Sequence, residues 1–165
     1  MATQFESLIT ALVDGGVEFI LVGGLAGAAH GSARATQDVD VVYARTPSNI
    51  RAVVRALSPH SPYLRGAPPG LPFVFDEETV RRGMNFTLVT ALGDIDLLGE
   101  ITGGGNYSDL LGSIVVLELF GRDCPCLDLD TLISVKRAAG RPKDLEAIAE
   151  LEMIRDHAKE APPSH

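Results

Sequence analysis

The stretch Val17 to Tyr43 reads V-E-F-I-L-V-G-G-L-A-G-A-A-H-G-S-A-R-A-T-Q-D-V-D-V-V-Y. It holds a short apolar run, a Gly23-Gly24 break, a small-residue segment, and then Asp38 and Asp40 inside a second apolar run. Side chains alternate faces along a strand, so the two Asp point the same way. Their neighbours Val39, Val41 and Val42 are β-branched and suit a buried strand. Two carboxylates side by side at the start of such a strand repel each other and lose hydration. Neither penalty serves stability, and a bound cation removes both. The pair therefore reads as half of a divalent-metal site.

Immediately upstream, Val17 to Val22 is a short buried strand. The Gly23-Gly24 pair after it lets the backbone approach a ligand closely, and the helix it opens presents free N–H groups. Taken alone, a tight strand-to-helix turn accounts for the pair. Leu25 to His30 is short and Ala-rich, suited to close packing on a sheet. His30, a lone His on a small-residue helix, reads as structural. Thr36 reads as ordering the turn before the second strand.

Gly23-Gly24 followed by Arg34-x-Thr36-x-Asp38-Val39-Asp40 resembles the nucleotidyltransferase superfamily, which shares its fold with DNA polymerase β. The spacing is similar to that of small prokaryotic members, including the abortive-infection (AbiEii-type) toxin branch. The resemblance implies that Gly23 and Gly24 contact nucleotide phosphates and that Asp38 and Asp40 hold Mg²⁺, with two ions expected. It implies a third carboxylate from a later strand. The stretch L-G-D-I-D-L-L-G-E-I-T-G, residues 92–103, looks like that strand. Asp94 and Asp96 share a face by parity. Asp94 adjoins Gly93 and suits a turn, whereas Asp96 lies between Ile95 and Leu97, where a charge is harder to explain structurally. Asp96 is therefore assigned as the third ligand, with Asp94 the alternate. Arg34 either balances the carboxylates or orients a triphosphate. Thr36 joins the nucleotide-binding set through the motif.

Farther along, V-K-R-A-A-G-R-P-K-D-L carries Lys136, Arg137, Arg141 and Lys143, a cluster of cations in an acidic chain. A solvated helix junction explains Arg137. Small members of the superfamily carry a similar Lys…Arg-Pro-Lys-Asp segment near the active site. By that likeness Lys136 and Lys143 bind triphosphate, and Asp144 is a structural partner of one of them.

The remaining segments read as a frame for this site. Thr3 to Asp14 is an amphipathic helix with Thr3 as its N-cap. Thr46-Pro47 opens another helix. Residues 58–72 form a Pro/Gly-rich connection that could border a substrate cleft. Phe73 to Phe75 reads as a short strand, and Asn85 to Ala91 with Ile95 to Leu98 as a hairpin. Ile114 to Phe120 and Cys124 to Leu127 pair across residues 121–123. Asp128 caps a helix, and Pro142 begins the last one, with Leu145, Ile148, Leu151 and Met153 among its apolar positions.

Composition narrows the class. The 165 residues are 45% hydrophobic and 22% charged, an ordinary globular mixture. The net charge of −8 disfavours a broad basic surface for coating nucleic acid. Cys124 and Cys126 have no His or Cys partners at zinc spacing, and Mg²⁺ suits an all-oxygen donor set. No apolar run reaches transmembrane length and the start M-A-T-Q-F-E lacks a basic signal region, so a cytoplasmic chain with no membrane partner is expected.

The expectation is an α/β fold of the nucleotidyltransferase type: a small, mixed, twisted sheet flanked by helices, with a C-terminal helical pair. Residues 1–160 form one domain, and 161–165 a frayed tail. The expected activity is transfer of a nucleoside monophosphate from an NTP to an acceptor (tRNA or other RNA, protein or a small molecule). The toxin branch adds an antitoxin partner. A non-catalytic nucleotide- or partner-binding module is the alternative, because Gly24 stands where many active relatives carry Ser.

Overall fold

The computed structural model describes residues 2–160; the expected frayed tail, 161–165, lies outside the described residues. In chain order the elements are α1 (Phe5–Asp14), β1 (Phe19–Val22), α2 (Gly23–Ala29), β2 (Asp38–Tyr43), α3 (Pro47–Leu57), β3 (Tyr63–Leu64), α4 (Glu77–Arg82), β4 (Asn85–Thr90) and β5 (Gly93–Leu98). There follow β6 (Glu100–Ile101), β7 (Gly105–Asn106), α5 (Tyr107–Leu110), β8 (Ile114–Leu119), β9 (Arg122–Leu127), α6 (Leu129–Ala139) and α7 (Pro142–Glu160). Seven strands form one mixed sheet in the order β3-β4-β5-β2-β1-β9-β8, and β6 with β7 forms a small separate ribbon.

The acid-bearing strand β2 is central. It runs antiparallel to β1 and parallel to β5. Val39, Val41, Val42 and Tyr43 are fully buried, as are Ile95 and Leu97 opposite them. Each such side chain contributes about 1.5–3 kcal/mol relative to exposure, which fixes which way the strand faces. A one-residue slip would turn Val39, Val41 and Tyr43 outward and the Asp set inward. Burial of Val39, Val41 and Tyr43 thus places Asp38 and Asp40 on the other face, which Val42 shares.

The helices cover this sheet. In α1, Leu8, Ile9 and Leu12 are buried. Thr46 caps α3 through a hydrogen bond from the Asn49 N–H, and Pro47 occupies the first turn. The buried Asn49 amide donates to the carbonyls of Glu18 and Ala44 and accepts from the Glu18 N–H, joining α3 to the ends of β1 and β2. Gly140, left-handed at φ +66°, ends α6 before α7 returns along it.

Four expectations change. Thr3 does not cap α1; its hydroxyl donates to the Gln37 carbonyl (2.6 Å) and accepts from the Asp94 N–H (3.1 Å). It thereby straps the entry of β2 to the start of β5, and Gln4 takes the cap position. Phe73 to Phe75 forms no strand; the Phe73 ring packs edge-on against Tyr63, 6.1 Å away. The β8–β9 turn is tighter than expected, with only Phe120 and Gly121 between the strands, both at positive φ. In α7 the buried residues are Asp144, Ala147, Ile148 and Leu151, while Leu145 and Met153 are exposed. Among the described residues no helix is long and apolar enough to cross a membrane.

Candidate metal and nucleotide site

Parallel, in-register pairing of β2 with β5 sets Asp38 opposite Asp94 and Asp40 opposite Asp96. Period-two alternation then puts all four carboxylates on one face. Within this set, Asp38, Asp40 and Asp96 each offer a carboxylate oxygen within 4.8 Å of the others. Asp94 lies at the outer end of the row and faces the Arg65 guanidinium at 3.4 Å.

The electrostatics of this cluster are those of crowded, desolvated acids. Burial pushes Asp40 from the ordinary carboxyl value of 3.8 up to about 8, helped by the charge of Asp38 and the adjoining Asp96. Asp38 is also raised, chiefly by burial and then by Asp96. In the metal-free chain Asp40 therefore holds a proton across the window from about 4 to about 8 that the unfolded chain releases. The folded state binds more protons there, so stability falls as pH rises through that window. Thermal melts in EDTA at a series of pH values should show this decline, and Asp40→Asn should flatten it. An unchanged slope in Asp40→Asn would assign the decline to other groups.

The glycine turn is built around these acids. Gly23 has φ +70°, and a Cβ there would stand 2.1 Å from Asp40 Oδ2. A Cβ on Gly24 would stand 2.6 Å from Thr36 Oγ1. The two glycines let α2 close against Asp40 and Thr36, so the close approach made here is to the chain's own side chains. The Thr36 hydroxyl also donates to the Asp38 carbonyl (3.3 Å) and orders the entry to β2. His30 makes a ring-nitrogen hydrogen bond with the Leu127 carbonyl (2.7 Å), tying α2 to β9.

A cleft of about 470 Å³ opens over the acids. Asp38, Asp40 and Asp96 line it together with Gly23 and Gly24, and Arg34, Lys136 and Lys143 line it as well. The two Lys come from α6 and the first turn of α7, which brings cations from the far end of the sequence over the acidic strands. Lys136 has its ammonium pKa lowered, first by burial, while Asp144 opposes that shift. Arg34 is tethered to Glu146 at 3.5 Å, and Glu150 of the same helix accepts from the Ser32 hydroxyl and, at 3.2 Å, from the Ala33 N–H. These contacts hold the 31–37 segment against α7. Arg137 turns out of the cleft to Glu152.

Two placements were not foreseen. Buried Asp144 pairs with Arg141 through two hydrogen bonds of 2.8 and 3.2 Å, instead of with Lys136 or Lys143. Arg141, three positions back on the α7 entry turn, reaches it within one turn, and the bonds hold its carboxyl below the usual range. Arg65, in the Pro/Gly-rich connection, lies within 4 Å of Asp38, Asp94 and Asp96. A cation just ahead of Gly66, after the dipeptide Tyr63-Leu64, was its only mark in the sequence.

No family model matches the chain, and no curated protein does either. Among solved structures, it is similar to TM1012 of Thermotoga maritima, itself a candidate nucleotidyltransferase. The likeness covers 95% of this chain and 91% of that one at a TM-score of 0.50 and 15% sequence identity. At that identity the likeness speaks to fold alone: the chain has a nucleotidyltransferase-like α/β fold, and the acidic triad lies on its central strands.

Proposed function

We propose that this chain is a divalent-metal-dependent nucleotidyltransferase, moving a nucleoside monophosphate from an NTP to an acceptor. The observation that carries the proposal is the convergence of Asp38, Asp40 and Asp96 in a cleft that Lys136 and Lys143 also line. Three hard oxygen donors with raised or crowded carboxyl groups fit magnesium better than zinc. Bound by these three residues, the ion would supply charge neutralisation and Lewis acidity at the phosphoryl group.

The chain's own groups account for the rest. Lys136 and Lys143 meet the negative charge of the phosphates, with Arg34 beside them. Asp144 and Arg141 fix the turn that carries Lys143. The acceptor oxygen bonds to the α-phosphorus while the bond to the bridging oxygen of the β-phosphate breaks and pyrophosphate leaves. The acceptor's proton passes to Asp96, the triad member contributed by the second strand. The likeness to the abortive-infection toxin branch extends the proposal to a toxin whose acceptor is RNA or protein and which is countered by an antitoxin protein.

Incubation with each α-labelled NTP, Mg²⁺ and cell extract tests the reading. The expected result is pyrophosphate release with label transferred to one class of product. Inorganic phosphate release would instead make the chain a phosphohydrolase. Metal-dependent NTP binding without turnover would make it a binding module. In the toxin extension, expression of the wild-type chain arrests growth and the Asp40→Ala chain does not.

A further inference from the structure

Arg65 belongs to the acidic face although it lies in a loop. Its backbone N–H donates to the Thr87 carbonyl (3.0 Å), continuing the β3–β4 pairing by one residue. Its Nη2 donates to the Leu88 carbonyl (2.7 Å). Held at both ends, the side chain is only 26% exposed. From this anchorage the guanidinium spans three carboxylates on β2 and β5: Asp96 at 2.8 Å, Asp94 at 3.4 Å and Asp38 at 3.7 Å.

The way it meets them is unusual for an arginine. A structural Arg–carboxylate pair takes the two-pronged fork geometry, as Arg122 does with Asp14 at 3.0 Å through each prong. Arg65 forms no such fork. Its Nε and the Asp96 Oδ1 are buried polar atoms without a hydrogen-bond partner, although each stands beside opposite charge. The guanidinium thus serves as a positive charge centred among several acids. Two of those acids, Asp38 and Asp96, also belong to the triad.

We infer that Arg65 takes the place of a second cation on the acidic face, so that the site accepts one divalent ion, at Asp38, Asp40 and Asp96, where two would otherwise fit. This rests on the metal-dependent reading above. Local charge sets the count: four in-register carboxylates, Asp38, Asp40, Asp94 and Asp96, invite two dications. A fixed guanidinium already neutralises the Asp94 side of the row and repels a second dication there. Asp40 makes no ion pair with Arg65 within 4 Å, so no guanidinium competes with the metal for its carboxylate.

The test counts Mn²⁺ bound to the purified full chain, by calorimetric titration and by the electron paramagnetic resonance of the bound ion. Wild type should bind one Mn²⁺ per chain with an uncoupled spectrum. Arg65→Gln should bind two, with a spin-coupled pair signal, and Arg65→Lys should return the count to one. Circular dichroism melts establish that each variant is folded. Two ions in wild type overturn the inference whatever the variants do, so it stays falsifiable if Arg65→Gln fails to fold. A single ion in folded Arg65→Gln overturns it as well. No Mn²⁺ bound by wild type overturns both this inference and the metal reading of the triad, which separates the two failures.

Discussion

Asp40→Ala should abolish transfer while leaving the fold intact. Asp40 is the middle acid of the triad: β2 places it beside Asp38, and the β2–β5 register places it opposite Asp96. It is the more deeply buried of the β2 pair, and the one whose carboxyl is pushed to about 8. Such a group is unfavourable in the metal-free chain, since desolvation and two acidic neighbours oppose its ionisation. Its removal relieves that strain, so the melting temperature in EDTA at alkaline pH should hold or rise. Activity should move the other way. Losing a ligand to an ion that stabilises charge on the reacting phosphoryl group removes about 4 kcal/mol or more of transition-state stabilisation, roughly a thousandfold in rate. Asp94→Asn, whose side chain faces Arg65 at the end of the row, should cost far less. Pyrophosphate release by the three proteins, each checked by circular dichroism, decides the matter. Wild-type turnover by Asp40→Ala would remove the triad from the chemistry.

How far this site could be seen beforehand depended on the range of the interactions that make it. Parity along one strand is local, so the shared face of Asp38 and Asp40 was legible from the Val residues around them. The fold class was legible through the resemblance of Gly23-Gly24 and Arg34-x-Thr36-x-Asp38-Val39-Asp40 to the nucleotidyltransferase superfamily. The choice of Asp96 over Asp94 was argued from neighbours, but what places Asp96 beside Asp40 is the parallel register with a strand more than fifty residues away. Arg65 was missed because β3 is two residues long and carries no periodicity; its partners are set by tertiary pairing alone. Thr3 was misread because Ser and Thr favour helix starts, yet here a strap between two strands won over the cap. In α7 the buried set 144, 147, 148 and 151 keeps the i, i+3, i+4, i+7 spacing of a helix face. The pattern was blurred because its first member is an acid and because Leu145 and Met153 stand on the outer side.

Gly23→Ala should be nearly as damaging to transfer as loss of Asp40 itself, for a reason visible only in three dimensions. The Gly23 backbone has φ +70°, and a Cβ would lie 2.1 Å from Asp40 Oδ2 and 2.9 Å from Asp40 Cβ and Cγ. Two separate costs follow. The left-handed conformation disfavours a Cβ by about 1–2 kcal/mol. The clash forces either the turn away from β2 or the Asp40 carboxylate away from Asp38 and Asp96. Gly16 separates these costs, since it has the same φ of +70° with nothing within 4 Å of a built Cβ. Gly16→Ala should therefore lose about 1–2 kcal/mol of stability with transfer unchanged. Gly23→Ala should lose more than that and should bind Mn²⁺ at least tenfold more weakly, because one donor of the triad has moved. Denaturant melts give the stability difference between the two variants, and Mn²⁺ titration gives the displacement of Asp40. Equal melts and equal Mn²⁺ affinity in the two variants would mean that the turn yields without disturbing Asp40, and the close packing of α2 on the acidic strand would then have no bearing on the metal.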